Sequence, residues 1–325
     1  GFESTAHYAL NLELFLENAH HSFMEVNPVL IKEYKKSTTL RRTKTDSVDC
    51  ESIARWLITV EYKPHSKGFY HAYSLKSLTR LRDRLIRQRS FYLVKITNVL
   101  DHTFPEFKPF FNERLSKTAL YLLENYGSAE KMARMNSASY DKLRCISRGK
   151  FSIQQFLRLK ELASNTVGVN NSIFDLELNT LLTLYKSLSD EINTLETEII
   201  KLIEEVHPHY MSIPGIGPIS AAVIYAEYGD ISNFSNPGQM LAFAGIEPGI
   251  NDSGTESHGG RMVKHGSSQL RYVLLNACLP LIRFDLTFAT YYEKKRAEGK
   301  KHRVAITHVA KKLIRVIYAL ERQDV

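Results

Sequence analysis

Cysteine is scarce in this chain: Cys50, Cys145 and Cys278 are the only three in 325 residues, far apart and with no Cys-x-x-Cys pair. That argues against a disulfide framework and a cysteine-based zinc site, and it fits a reducing compartment. Long apolar runs are missing too. None approaches the about 20 residues needed to cross a bilayer, and no secretory signal peptide opens the chain. A cytoplasmic protein with no membrane partner is therefore expected. An initiator methionine is absent as well; Gly1-Phe2-Glu3 reads as the middle of a fold, so a preceding segment is expected. Acidic residues are outnumbered, 35 against 43 Lys and Arg, for a net charge of +8. A basic surplus favours a polyanionic partner and says nothing about fold.

What the sequence does have is Ile213-Pro214-Gly215-Ile216-Gly217-Pro218, followed by an apolar helical run. Two glycines one residue apart, ahead of a proline suited to a first helical turn, read as the hairpin of a helix-hairpin-helix. Gly215 and Gly217 lack Cβ atoms, so backbone N–H groups there can approach a phosphate closely, and the new helix N-terminus favours an anion. The competing reading is a tight helix–helix corner with no ligand. Clustered cations favour the nucleic-acid reading: Arg80, Arg82, Arg84, Arg87 and Arg89 crowd one helix, and Lys294, Lys295, Arg296, Lys300, Lys301 and Arg303 another segment.

Residues 1–62 read as mixed α/β. A helix over Ser4–Asn18 carries Tyr8, Leu12, Phe15 and Leu16 on one stripe. A short strand at Phe23–Val26 stops at Asn27-Pro28, and a second helix from Thr45 turns Val48, Ile53, Trp56 and Leu57 inward. Ser74–Leu100 forms one long helix, and 101–170 shorter ones. From Phe174 to Val206 the pattern is heptad: Phe174, Leu181, Leu188, Leu195 and Leu202, interleaved with Leu178, Tyr185, Ile192, Ile199 and Val206. This predicts a parallel coiled coil and a homo-oligomer, a dimer or tetramer; the alternative is an antiparallel hairpin within the chain, with the 74–100 helix. Helices over 234–249, 267–281 and 304–321 make the C-terminal third all-α.

Two groups of residues suggest chemistry. Asp46 and Asp49 lie at i, i+3 on one helix face beside Arg41 and Lys44, so they could hold Mg²⁺ against a phosphodiester. Capping explains the same pair, because acids in a first turn complement the helix dipole and Thr45 is a natural N-cap. Ser253, in Asn251-Asp252-Ser253-Gly254, precedes Gly259-Gly260-Arg261 and Lys264-His265-Gly266. A serine on a glycine-flanked loop among cations could attack a phosphate. Ser257, Ser267 and Ser268 are equally available on this ground.

Gly1-Phe2-Glu3-Ser4-Thr5-Ala6-His7-Tyr8, Asn27-Pro28 and Lys44-Thr45-Asp46-Ser47-Val48-Asp49 resemble the first domain of the DEDD transposases of the insertion-sequence family "one-ten", in its "eleven-eleven" branch. Pro214 to Pro218, Phe234, Ala244-Gly245-Ile246-Glu247-Pro248, Ser253-Gly254, Lys264-His265-Gly266 and Leu270-Arg271 resemble its second domain, in order. The resemblance implies a partial RNase H-like domain over 1–66, a helical linker and coiled coil over 67–207, and a C-terminal domain over 208–325. It implies Mg²⁺ held by Glu3, Asp46 and Asp49, the second, third and fourth of four acids. The strand carrying the first acid is absent from the sequence. It also implies Ser253 as nucleophile, Gly215, Ile216, Gly217, Arg261, Lys264 and Arg271 on nucleic acid, and donor DNA, target DNA and a bridge RNA as partners. The fold class expected is α/β plus all-α. The function implied is DNA recombination through a serine–DNA link. A junction nuclease using water and an inactive nucleic-acid-binding remnant are the alternatives.

Overall fold

Phe2–Glu3 (β1) and Glu25–Val26 (β2) pair in parallel, with Phe2 opposite Glu25 and Glu3 opposite Val26. The helix between them, His7–Asn18 (α1), makes the crossover that a parallel pair requires. The computed structural model describes residues 1–3, 7–38, 45–61, 69–112, 115–253 and 256–322, with backbone alone at 7–8, 69–71 and 248–261. The chain divides into two compact units, Gly1–His71 and Ala72–Val325.

In the first unit Phe23, Val26, Ile31 and Ala9 are buried, and Phe2 stacks on Phe23 at 5.8 Å. Asn27 does end the strand, but it also opens a helix that the sequence reading left out, Pro28–Thr38 (α2). Its side-chain oxygen accepts from Val29 N at 2.9 Å, and Pro28 sits where a missing N–H costs nothing. Asp46–Thr59 (α3) starts where expected, with Thr45 accepting from Val48 N. Its inward stripe of Val48, Ile53, Trp56 and Leu57 is only half-buried. The stripe expected on α1 is corrected. Ala9 and Glu13 are buried, whereas Leu12 and Phe15 are exposed. With strands of two residues each, this unit is helix-rich, and the multi-stranded sheet of an RNase H-like layer is not seen among the described residues.

The second unit is built on two long helices, Phe69–Thr103 (α4) and, after an intervening helical knot, Ser172–Val206 (α10). The knot comprises Phe107–Phe110 (α5), Lys117–Tyr126 (α6), Ala129–Ala133 (α7), Ser137–Ile146 (α8) and Ile153–Ser164 (α9). Contacts between α4 and α10 run in opposite directions along the two. His102 stacks on Phe174, Arg82 pairs with Glu196, and Leu75 shares a core with Ile199 and Ile203. They are therefore antiparallel, and the intramolecular alternative is the arrangement observed in this chain. The fully buried residues of α10 are Leu178, Leu182, Ile192, Ile199 and Ile203. Leu181, Leu188, Leu195 and Leu202 lie half-buried at the margin.

Two cores sit at opposite ends of this helix pair. One gathers Ile96, Val99 and Leu100 with Leu178, Leu182 and the knot. The other gathers Leu75, Ile199 and Ile203 with the C-terminal elements. Those elements are Pro218–Tyr228 (α11), Pro237–Ala244 (α12), the strands Pro248–Ser253 (β3) and Glu256–Met262 (β4), Ser268–Phe284 (α13), Leu286–Ala297 (α14) and His302–Arg322 (α15). The expectation of an all-α C-terminal third is corrected by β3 and β4, an antiparallel hairpin with Ser253 opposite Glu256. Its strands are polar and glycine-rich, so they lack the apolar alternation that marks a half-buried strand.

Candidate nucleic-acid interface and catalytic residues

The glycine hairpin separates into a structural half and an open half. Gly215 takes φ +95°, the left-handed side favoured by glycine, and a Cβ there would meet Pro280 Cγ at 2.6 Å and the Ala277 carbonyl at 2.7 Å. It is the point where the turn packs onto α13. Ile216 is buried in the core at 3% exposure. The side-chain positions of both residues face the core, and the Ile216 N–H donates to the Ile213 carbonyl at 3.0 Å. Gly217 caps α11 with φ −78° and ψ 173°, a conformation open to any residue, and a Cβ there would meet nothing within 4 Å. No side chain caps this helix start, so its first turn is free for an anion. The arm preceding the turn is a short 3-10 segment, His209–Ser212, rather than an α-helix.

Ser253 ends β3 at the tip of the β3–β4 hairpin. Its side chain, that of Arg261, and Gly254 lie outside the described residues. Ser267 is occupied as the N-cap of α13, accepting from Leu270 N at 3.2 Å. Lys264 is exposed on the segment entering α13. Arg271 turns inward instead: its Nη1 donates to the Ala244 carbonyl at 3.2 Å, tying down the end of α12. That contact commits one of its donors to a helix C-terminus.

The carboxylates read from sequence come from two elements, Glu3 from β1 and the Asp46–Asp49 pair from α3. Glu3 is half-buried in β1, Asp46 is exposed in the first turn of α3, and Asp49 is ion-paired with Lys35 of α2. Arg41 and Lys44 lie outside the described residues. Among the described residues no three His, Cys, Asp or Glu side chains are grouped so as to hold a metal ion. The expected convergence of Glu3, Asp46 and Asp49 is therefore not formed here. A carboxylate that sequence reasoning missed is Glu13, 1% exposed on α1, with Oε2 lacking a hydrogen-bond partner. Burial, and then the charges of Glu25 and Glu17, push its pKa up to about 7. The available signal was its position four residues after Ala9, on the buried face of α1.

The arginine row of α4 is partly structural. Arg80 makes a two-pronged contact with Glu227 at 2.9 and 3.1 Å, with Lys76 near the same carboxylate at 3.9 Å. Glu227 is buried, so this pairing neutralises a charge inside the C-terminal core. Arg82 is taken by Glu196. The α14–α15 corner remains cationic. Lys312 lies over the rings of Phe288 and Tyr291 at 5.0 and 5.1 Å, and Lys295 lies over Tyr291 at 5.6 Å. Burial, then Lys311, Lys295 and Lys300, hold the His308 imidazole below its usual pKa. Burial is the larger cause, and the lysines add like charge to it.

An open helix start and a cationic corner suit a polyanionic partner. Two family models match in sequence order: a DEDD transposase model of the IS110 type over residues 1–105, and the Transposase IS116/IS110/IS902 family over 208–293. Together they take in more than half of the chain, which belongs to the IS110-type transposase family. The IS110 insertion-element protein of Streptomyces coelicolor is 28% identical over 237 residues, 70% of this chain and 58% of its own length. The IS900 insertion-element protein of Mycobacterium paratuberculosis is 27% identical over 298 residues, 86% of this chain and 71% of its own. The transposase of insertion sequence IS1111A from Coxiella burnetii is 25% identical over 260 residues, 79% and 59%. The chain thus spans less than two thirds of the IS110 and IS1111A proteins. Among the described residues no single helix is long and apolar enough to cross a membrane.

Proposed function

We propose that this protein recombines DNA to move an insertion sequence, using Ser253 as nucleophile. The observation that carries the reading is the ordered pair of transposase models, the second of which includes the hairpin tip where Ser253 stands. Ser253 Oγ attacks a phosphodiester phosphorus. A P–Oγ bond forms as the bond to one deoxyribose oxygen breaks, and the serine proton passes to that leaving oxygen. A new strand's hydroxyl then reverses the step, restoring the serine and joining the strands. Because the link conserves a phosphodiester, no nucleotide cofactor is required.

Gly217 and the α14–α15 corner bind backbone phosphate in this reading, and Arg261 and Lys264, at and beyond the base of the hairpin whose tip carries Ser253, add cationic charge. A bridge RNA pairs with donor and target DNA, and two or four copies assemble through the half-buried leucine row of α10. Divalent metal use is what the DEDD family name suggests, and Mg²⁺ on Glu3, Asp46 and Asp49 is what the resemblance implies. These residues do not fit that ion as they stand, with Asp49 held by Lys35 and no metal-holding group formed among the described residues. When bound, such an ion would supply Lewis-acid polarisation of the scissile phosphate.

The test is strand joining. Donor and target DNA, the element's own bridge RNA and Mg²⁺ are incubated with the protein, and joined junctions are sequenced. Junctions at a fixed position, lost in Ser253→Ala, support the reading. Cut ends that are never joined support a water-using nuclease and contradict it.

A further inference from the structure

Beside the first turn of α11 lies a cleft of about 630 Å³, walled by α4 and α13. Its floor is apolar and its rim carries Asp83, Arg87, Ser220, Gln269, Tyr272 and Asn276. Apart from Arg87, which belongs to the arginine row of α4, none of these was singled out as a ligand-binding residue by sequence. We propose that this cleft binds one unpaired nucleotide, with the base stacked on Tyr272 and the phosphate beside Arg87. The proposal rests on the reading that the partner is nucleic acid.

Size is the first support. Small-molecule sites run to about 300–1,000 Å³, so the cleft has room for a base and its sugar but not for a duplex. The chemistry is the second. Tyr272 is 67% exposed although it stands on a helix packed into the core. An exposed aromatic ring at the edge of a cleft is a stacking platform for any base, since every base has a π-face. Around it stand the amides of Gln269 and Asn276, which can meet a base edge with both donors and acceptors.

Preorganisation is the third. Asp83 accepts from Arg87 at 2.8 Å and from the Gln269 amide at a long 3.4 Å. The carboxylate is thereby fixed on the rim, and the weaker amide contact is the one that a base can displace. A base bearing an exocyclic amino group would donate to Asp83, so adenine, cytosine and guanine suit the site better than thymine or uracil. Position is the fourth. Ser220 belongs to the same first turn of α11 that Gly217 opens, so a strand whose phosphate meets that helix start runs directly into the cleft. Bases within a duplex keep their faces stacked and cannot enter; the ligand is an unpaired base, as in a loop, an end or an opened strand.

The experiment measures fluorescence anisotropy of the full chain with a labelled 12-residue single-stranded DNA and with the same sequence as duplex, at one salt concentration. Tyr272→Ala is expected to weaken single-strand binding by about tenfold, within the range for one stacked base, and duplex binding by less than about twofold. Tyr272→Phe restores the single-strand affinity. Replacing the strand's cytosines by thymines weakens the parent more than it weakens Asp83→Asn. Tyr272 is exposed, so its loss leaves the core intact, and circular dichroism verifies the fold. Equal single-strand affinity in Tyr272→Ala and parent overturns the cleft while leaving salt-dependent binding elsewhere, and the nucleic-acid reading, in place. A parent that binds neither form overturns both.

Discussion

Glu13 carries the charge that this fold accommodates least well. Its carboxyl is buried beside Glu17 and Glu25, and its pKa rises from 4.5 to about 7. A carboxyl raised in this way stabilises the fold while protonated, fully below about pH 4.5 and progressively less as pH rises through about 7. Trp56, the only tryptophan, stands on α3 in the same unit and reports its unfolding. Urea titrations followed by its fluorescence should show stability falling by about 1–3 kcal/mol between pH 5 and 8, and Glu13→Gln should flatten that dependence. A flat profile in the parent would mean that Glu13 is solvated. Arg80 and Glu227 give a second residue-level expectation. Arg80→Ala leaves a buried carboxylate without its main partner and should cost about 3 kcal/mol. Adding Glu227→Gln should recover much of that loss, and denaturant melts of the two variants measure it. Additive losses in the double variant would mean that the pair is uncoupled.

At the scale of elements, the glycine hairpin allows fold and binding to be separated. Gly215→Ala places a methyl against the backbone of α13 at a left-handed φ and should lower the melting temperature. Gly217→Val enters open space in an extended conformation, so it should fold normally yet block phosphate from the start of α11. A Gly217→Val protein that binds DNA as tightly as the parent would reduce the hairpin to a corner. The same scale shows what was legible in advance. Thr45 capping α3 was readable because a cap is a contact within one turn. The helix α2 was not, because Pro28 both ends a strand and begins a helix, and Lys35 therefore went unnoticed as the partner of Asp49. The heptads of α10 announced an apolar stripe in need of a partner, but spacing cannot say which partner. Here α4, α6 and α11 take Leu178 and Ile199 from within the chain. What the hairpin leaves half-covered is the leucine row. Leu188→Glu with Leu195→Glu should therefore turn an assembled species into a monomer by light scattering, with helicity retained. An unchanged mass would confine α10 to its own chain.

For the molecule as a whole, charge and chemistry are divided among its parts. The cationic corner of α14 and α15, the open start of α11 and the serine hairpin all belong to the second unit, whereas Glu3, Asp46 and Asp49 belong to the first. The order of motifs along the chain was legible; the spacing between Glu3 of β1 and the Asp46–Asp49 pair of α3 was not, because a sequence encodes no distance between separate elements. DNA affinity should fall more than about tenfold between about 50 and 200 mM salt, as expected when several phosphates are neutralised. A weak salt dependence would move recognition away from the basic corner. The central claim is the identity of the nucleophile, and the most direct measurement is a denaturing gel of the protein incubated with end-labelled donor DNA, bridge RNA and Mg²⁺, with the adduct mapped by mass spectrometry. The expected result is a protein–DNA band that survives denaturation, maps to Ser253 and disappears in Ser253→Ala. Cleaved DNA with no such band, or an adduct that persists in Ser253→Ala, would contradict it.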